Sequence, residues 1–178
     1  MKLAFDKLYE QYHQDLFQFI FYMVGDKPLA EDLVQEVYIR VLNSYVNFRG
    51  DSSEKTWMFS IARNVTIDYF RKQKRRRHWM NQFFEWDKRG ELLEDHQPLP
   101  DEIAILNDEI KTVFKYLKKC TPDQRSVLIL RFIQSCSIKE TAEILNFSVS
   151  KVKTTQHRGL KALRNFMSNN LAKGGHHT

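Results

Sequence analysis

Cysteine is nearly absent from this 178-residue chain: Cys120 and Cys136 are the only two, and neither has a second cysteine or a close histidine at metal-ligand spacing. A reduced, cytoplasmic setting fits that usage, and no metal site or cofactor is expected. Long apolar runs are missing as well. No stretch approaches the roughly 18 residues needed to span a bilayer. The amino terminus has no basic segment followed by an apolar run and a small-residue cleavage site, so the chain is expected to be neither secreted nor inserted in a membrane. Strand-like alternation of useful length and internal repeats are lacking too, which leaves an all-α class. With 42% hydrophobic residues, the chain can bury one moderate core or two small ones.

What the sequence does have is segregated charge. Residues 1–50 hold 5 basic and 7 acidic side chains, 51–77 hold 8 and 3, 78–109 hold 2 and 9, and 110–178 hold 13 and 3, for a formal net charge of +6. Two basic blocks separated by an acidic one look less like general solubility than like two contacts with a polyanion. Either block alone would read equally well as a solvated face.

Helical periodicity runs through Phe5, Leu8, Tyr9, Tyr12, Leu16, Phe19, Ile20 and Met23 until Gly25, Asp26 and Pro28 interrupt it. A second helix places Ala30, Leu33, Val34, Val37, Tyr38, Val41, Leu42 and Tyr45 on one stripe. Its other face, with Glu31, Asp32, Gln35, Glu36, Arg40 and Asn43, is more acidic than a solvent face requires. After a loop around Gly50, a third helix begins at Trp57 and runs into "RKQKRRR". Arg63, Asn64 and Asp68 recur at near-helical spacing there, close to Trp57, Phe59, Tyr69 and Phe70. Cations mixed with aromatics suit single-stranded DNA, although most of these aromatics are more simply core, and the basic run alone could be a solvated tail.

The pattern fails from His78 to Pro100, an acid-rich stretch with two prolines that reads as a linker. Trp79, Phe83, Phe84 and Trp86 sit oddly in a free coil and suggest docking. Helices resume at Asp101 and end before Thr121-Pro122, which suits a cap and first turn of the next helix.

Ser137 can then cap a short helix, Ile138 to Leu145, with Ile138, Ala142 and Leu145 inward. Asn146 stands where a tight turn wants positive φ, and Ser148 can cap a second helix. In that helix Val149, Val152, Gly159, Leu160 and Leu163 fall on the inner face, while Lys151, Lys153, Thr154, His157, Arg158 and Lys161 lie outside. This is a helix-turn-helix whose second helix is basic on the side the core leaves free. Cations there neutralise phosphates, and the shorter polar groups can reach base edges. His157 reads as simply as a solvated side chain.

Together, "AEDLVQEVYIRVLNSY", "FRGDSSEKTWMFSIARNVTIDYFRKQ" and "SIKETAEILNFSVSKVKTTQHRGLKALR" resemble bacterial sigma factors of the extracytoplasmic-function group. The resemblance covers roughly residues 5–75 and 101–167. It implies two small helical domains joined by a flexible linker: a sigma-2 domain over 1–77, the linker over 78–100, a sigma-4 helix-turn-helix domain over 101–170 and a tail over 171–178. It also implies an alternative sigma factor, not an enzyme, whose partners are core RNA polymerase (β′ clamp helices and β subunit), promoter DNA and a membrane-bound anti-sigma factor. By motif position, Asp32, Gln35, Glu36 and Arg40 would meet polymerase. Phe48, Arg49, Gly50, Asp51, Arg63, Asn64, Arg71 and Lys72 would engage the −10 element. Arg131, Lys151, Lys153, Thr154, His157 and Arg158 would engage the −35 element. Asn146 departs from the family's common Gly.

Two other classes fit parts of the pattern. A free-standing helix-turn-helix regulator would need a dimerisation element, and no long heptad run supplies one. An all-helical adaptor using the acidic helix would leave both basic blocks idle.

Overall fold

The structure, a computed structural model, describes residues 2–83 and 108–174. Helices α1 (Lys2–Val24), α2 (Lys27–Ser44) and α3 (Glu54–Phe83) build the first half. Helices α4 (Asp108–Leu117), α5 (Pro122–Leu128), α6 (Ile138–Leu145) and α7 (Val149–Gly174) build the second. All-α is the class observed among the described residues.

Local chemistry sets the breaks. Gly25, at φ +71, lets its N–H reach Phe21 O at 2.7 Å and close α1. Asp26 then accepts the Leu29 N–H at 2.8 Å, and Pro28 occupies the first turn of α2, where its missing N–H costs nothing. Pro28 therefore starts a helix rather than merely ending one.

The core of the first half is made by Leu16, Phe19, Ile20 and Met23 of α1, Leu33, Val34, Val37 and Val41 of α2, and Met58, Phe59, Ala62 and Val65 of α3. Phe19 meets Phe59 edge-on at 5.6 Å. Each such ring contributes roughly 1.5–3 kcal/mol by burial. Leu42 departs from the expected apolar stripe: it is exposed, while Val41 beside it is fully buried and Tyr45 packs against the core.

In the second half Thr121 and Gln124 form a capping box at α5, and Ser137 and Glu140 form another at α6. Between them the chain makes a π-helical turn over Ile129–Ile133, with Gln134 N–H bonded to Ile129 O at 2.9 Å. Asn146 is left-handed at φ 53, as its position in the turn demanded, and Ser148 Oγ accepts the Lys151 N–H at 3.1 Å. Gly159 permits close crossing of α7 over α5: a Cβ there would lie 3.0 Å from Leu128 Cδ1. Two inner-face expectations fail, since Val149 and Leu160 are exposed. The inner stripe runs instead through Val152 and Gly159 to Leu163 and Phe166, which pack against Leu117 of α4 and Leu128 of α5.

Helix α3 continues through His78–Phe83, so the first part of the stretch read as linker is helical and Trp79 sits on a helix. Residues 84–107, including Phe84, Trp86 and the expected helical start at Asp101, lie outside the described residues. The halves do not stand apart as two beads. One continuous core cluster joins Phe19 and Phe59 to Phe114, Val127, Ile129, Leu130 and Leu145, and α3 packs against α6.

Candidate nucleic-acid interface

The helix-turn-helix presents its basic face to solvent. Lys151, Lys153, Thr154, His157 and Arg158 are exposed on α7, while Val152, on the same turns, is fully buried. Capping at Ser148 and the left-handed Asn146 fix the angle at which α7 leaves α6, so the polar row is held by the backbone. Lys151 is less free than its neighbours: its Nζ lies 3.5 Å from the Phe147 ring centroid and 3.8 Å from Asp123 Oδ2. Arg131, on the π-helical turn, is half-buried. Its Nε donates to Gln156 Oε1 at 3.0 Å and its Nη1 to the Cys136 carbonyl. Gln156 thus orients Arg131, a role the sequence did not reveal because the two lie 25 positions apart.

In the first half the loop between α2 and α3 carries Phe48, Arg49, Gly50 and Asp51. The last three are exposed; Gly50 has φ +74, and a Cβ there would meet nothing within 4 Å. Space does not demand glycine at this position; the left-handed backbone does. Phe48 lies tilted against Trp57, ring centroids 4.6 Å apart, and Tyr45 approaches the same indole at 6.2 Å. Trp57, read from sequence mainly as core, is half-buried and floors this loop.

Farther along α3, Asn64 is exposed, and Arg63 Nη1 donates to its Oδ1 at 3.2 Å. Asp68 turns toward α2 instead, 3.4 Å from Arg40. Arg71 and Lys72 are exposed. A groove of about 830 Å³ runs beside Arg71, Lys74, Arg75, His78 and Trp79, the last 60% exposed. Placing Trp79 on the helix puts an indole among cations, a pairing suited to stacked bases and their phosphates.

The outer face of α2 has its own character. Asp32 and Gln35 are exposed, whereas Glu36 is bound to Arg40 at 2.5 Å. Ile39, 59% exposed, and Leu42 add an apolar centre beside these charges. Apolar side chains rimmed by charge resemble a protein interface more than a solvent face. Ile39 was passed over in sequence because it belongs to neither the buried stripe nor the acidic row.

Among the described residues no group of three or more His, Cys, Asp or Glu could hold a metal ion, and no helix is long and apolar enough to cross a membrane. Burial pushes the Cys120 and Cys136 thiols up, away from reactive thiolate.

A three-helix unit with an acidic and apolar outer helix, coupled to a basic helix-turn-helix, has the layout of a promoter-recognition subunit. Residues 8–76 match the family profile Sigma-70 region 2, and residues 114–163 match Sigma-70, region 4. The chain belongs to the extracytoplasmic-function (ECF) RNA polymerase sigma factors. It is 58% identical to the ECF RNA polymerase sigma factor SigX of Bacillus subtilis, across 94% of this chain and 85% of that one. To the RNA polymerase sigma factor YlaC of the same organism it is 33% identical, across 93% and 92%. Its fold is similar to that of CnrH, solved with the cytosolic domain of CnrY (TM-score 0.69, 20% identity, 95% of this chain and 90% of that one). It is also similar to that of the Bartonella quintana sigma factor RpoE, solved with the anti-sigma factor NepR (TM-score 0.67, 20% identity, 93% and 97%).

Proposed function

We propose that this sigma factor docks on core RNA polymerase through the outer face of α2, reads the −35 duplex with α7, and traps the unpaired −10 strand on the α2–α3 loop and α3. The observation that carries the reading is the division of labour within one chain: an exposed basic row on a capped recognition helix, and a separate aromatic-and-basic surface on α3. Duplex reading suits Lys153, Thr154, His157 and Arg158, with Arg131 and Lys151 at the edge of that row. Single-strand capture suits Phe48, Arg49, Gly50, Asp51, Arg63, Asn64, Arg71 and Lys72, because a base leaving the stack gains a new aromatic partner. Those contacts offset an unstacking cost of a few kcal/mol per step. Asp32, Gln35 and Ile39 form the polymerase contact; Glu36 and Arg40 hold each other in place beside it. Phosphodiester chemistry belongs to core polymerase, and the chain acts where that enzyme does, in the cytoplasm. An anti-sigma factor that covers α2 or α3 would silence it, as the sigma–anti-sigma complexes among its structural neighbours suggest.

The test is transcription by sigma-free core polymerase, with and without the protein, on its own upstream region and a genomic library. New start sites that share a −35 and a −10 sequence and require the protein are expected. No new start with core that another sigma factor activates would overturn the reading. A free-standing regulator is disfavoured because its relatives are sigma factors along nearly the whole chain.

A further inference from the structure

Arg131 and Gln156 join two elements that meet only in the folded domain, the π-helical turn and α7. The chain doubles back after that turn: Ser135 is left-handed at φ 54, and the Cys136 N–H bonds Leu130 O at 2.8 Å. The Cys136 carbonyl thereby reaches Arg131 Nη1, while Arg131 Nε donates to Gln156 Oε1 on α7 at 3.0 Å. Two nitrogens of the guanidinium fork are spent on the protein itself. A cation anchored in this way is a support before it is a reader of bases.

What Arg131 fixes is the polarity of its partner. A guanidinium carries donors only, so the amide oxygen of Gln156 must face it and the amide nitrogen must face away. An unrestrained glutamine can turn its amide to pair with both the N7 acceptor and the N6 donor of adenine. Here that freedom is closed, because the oxygen is already taken. Gln156 is half-buried, one turn after the exposed Lys153 and next to the exposed His157, and its Nε2 donates to nothing else among the described residues. Val152 and Gly159, both buried, hold the helix beneath it.

We infer that Gln156 is a base-reading residue of the −35 interface, held by Arg131 as a one-sided donor, and that it selects a keto base, guanine or thymine, over cytosine or adenine on the strand it faces. This role rests on the −35 reading proposed above and adds a residue to it. Guanine offers O6 and N7, and thymine O4, all acceptors, whereas cytosine meets the amide nitrogen with its own N4 hydrogens and adenine with those of N6. Two donors brought face to face lose their water and gain no partner. Arg131 is then a positioning residue, whose effect on sequence preference passes through Gln156.

The test is initiation by core polymerase carrying the full chain, on promoters with each of the four base pairs at every −35 position, for wild type, Gln156→Glu, Gln156→Ala and Arg131→Ala. Circular dichroism confirms that each chain is folded. Wild type should favour a keto base at one position by about tenfold. Gln156→Glu keeps an oxygen for Arg131 but turns the outward group from donor to acceptor, so the preference at that position should reverse toward cytosine or adenine. Gln156→Ala should flatten it, Arg131→Ala should weaken it at the same position, and the double variant should be no flatter than Gln156→Ala alone. Wild-type preferences in folded Gln156→Glu or Gln156→Ala would overturn base reading by Gln156. An effect of Arg131→Ala confined to a different position would overturn its supporting role. A wild-type chain indifferent to every −35 position would instead overturn the −35 reading itself, so the failures are distinct.

Discussion

Arg125 is the residue that sequence reading passed over most completely, being one of 13 cations in the last basic block. It is 8% exposed, and its guanidinium donates to Leu117 O (2.9 Å), Lys118 O (2.6 Å), Cys120 O (3.2 Å) and Met23 O. Burial lowers its pKa, but the ring of carbonyl acceptors keeps the cation satisfied. Arg125→Met should remove the guanidinium donor from the Met23, Lys118 and Cys120 carbonyls, while Leu117 O keeps the Cys120 N–H, and cost on the order of 3 kcal/mol. At ~2–4 °C per kcal/mol, calorimetry should show a fall in Tm of several degrees. Arg158→Ala belongs to the opposite case. Arg158 is exposed, so stability should not change, while dependence on the −35 sequence is lost and the slope of log K against log salt becomes shallower by about 0.9 per phosphate contact removed. A wild-type footprint and salt slope would remove Arg158 from the DNA interface.

Helices that carry their own boundary signals were legible residue by residue. Ser137, Asn146 and Ser148 each do what their side-chain chemistry favours, because caps and left-handed turns depend on a few neighbouring residues. The exposed Val149 and Leu160 show the limit of that logic, since which part of a stripe is buried depends on elements distant in sequence. The α6 capping box has a pH signature. Hydrogen bonds from Ser137, led by its backbone N–H at 2.7 Å, hold the Glu140 carboxyl below its ordinary value of 4.5. A depressed folded-state pKa adds stability above the unfolded value and loses it as pH falls through the folded one. Urea midpoints at about pH 6 and about pH 3.5 should therefore differ less in Glu140→Gln than in wild type; equal differences would discount the carboxylate. On α2, Ile39→Lys should leave Tm within about 0.5 kcal/mol equivalents of wild type, yet weaken core polymerase binding at least tenfold. Unchanged affinity in a pull-down titration would move the docking face elsewhere.

For the molecule as a whole, the segregated charge correctly marked two halves, but composition left open whether they share a core. They do. Phe114, Val127, Ile129 and Leu130 join the cluster built on Phe19 and Phe59, and Phe21 stacks on Phe114 at 5.8 Å. Such pairings link α1 to α4 and α5 across more than 90 positions, so local periodicity carries no sign of them. Their energetic consequence is coupling: unfolding one half exposes apolar surface on the other, at roughly 25 cal/mol per Å². Separately produced fragments 1–83 and 108–178 should each melt several degrees below the full chain, which should unfold in one cooperative transition. Mixing the fragments should recover part of the lost stability, because the contacts reform at the cost of bringing two chains together. Fragments that melt where the full chain does would mean that the shared core contributes little, and that the two halves behave in solution as the independent domains their charge pattern suggested.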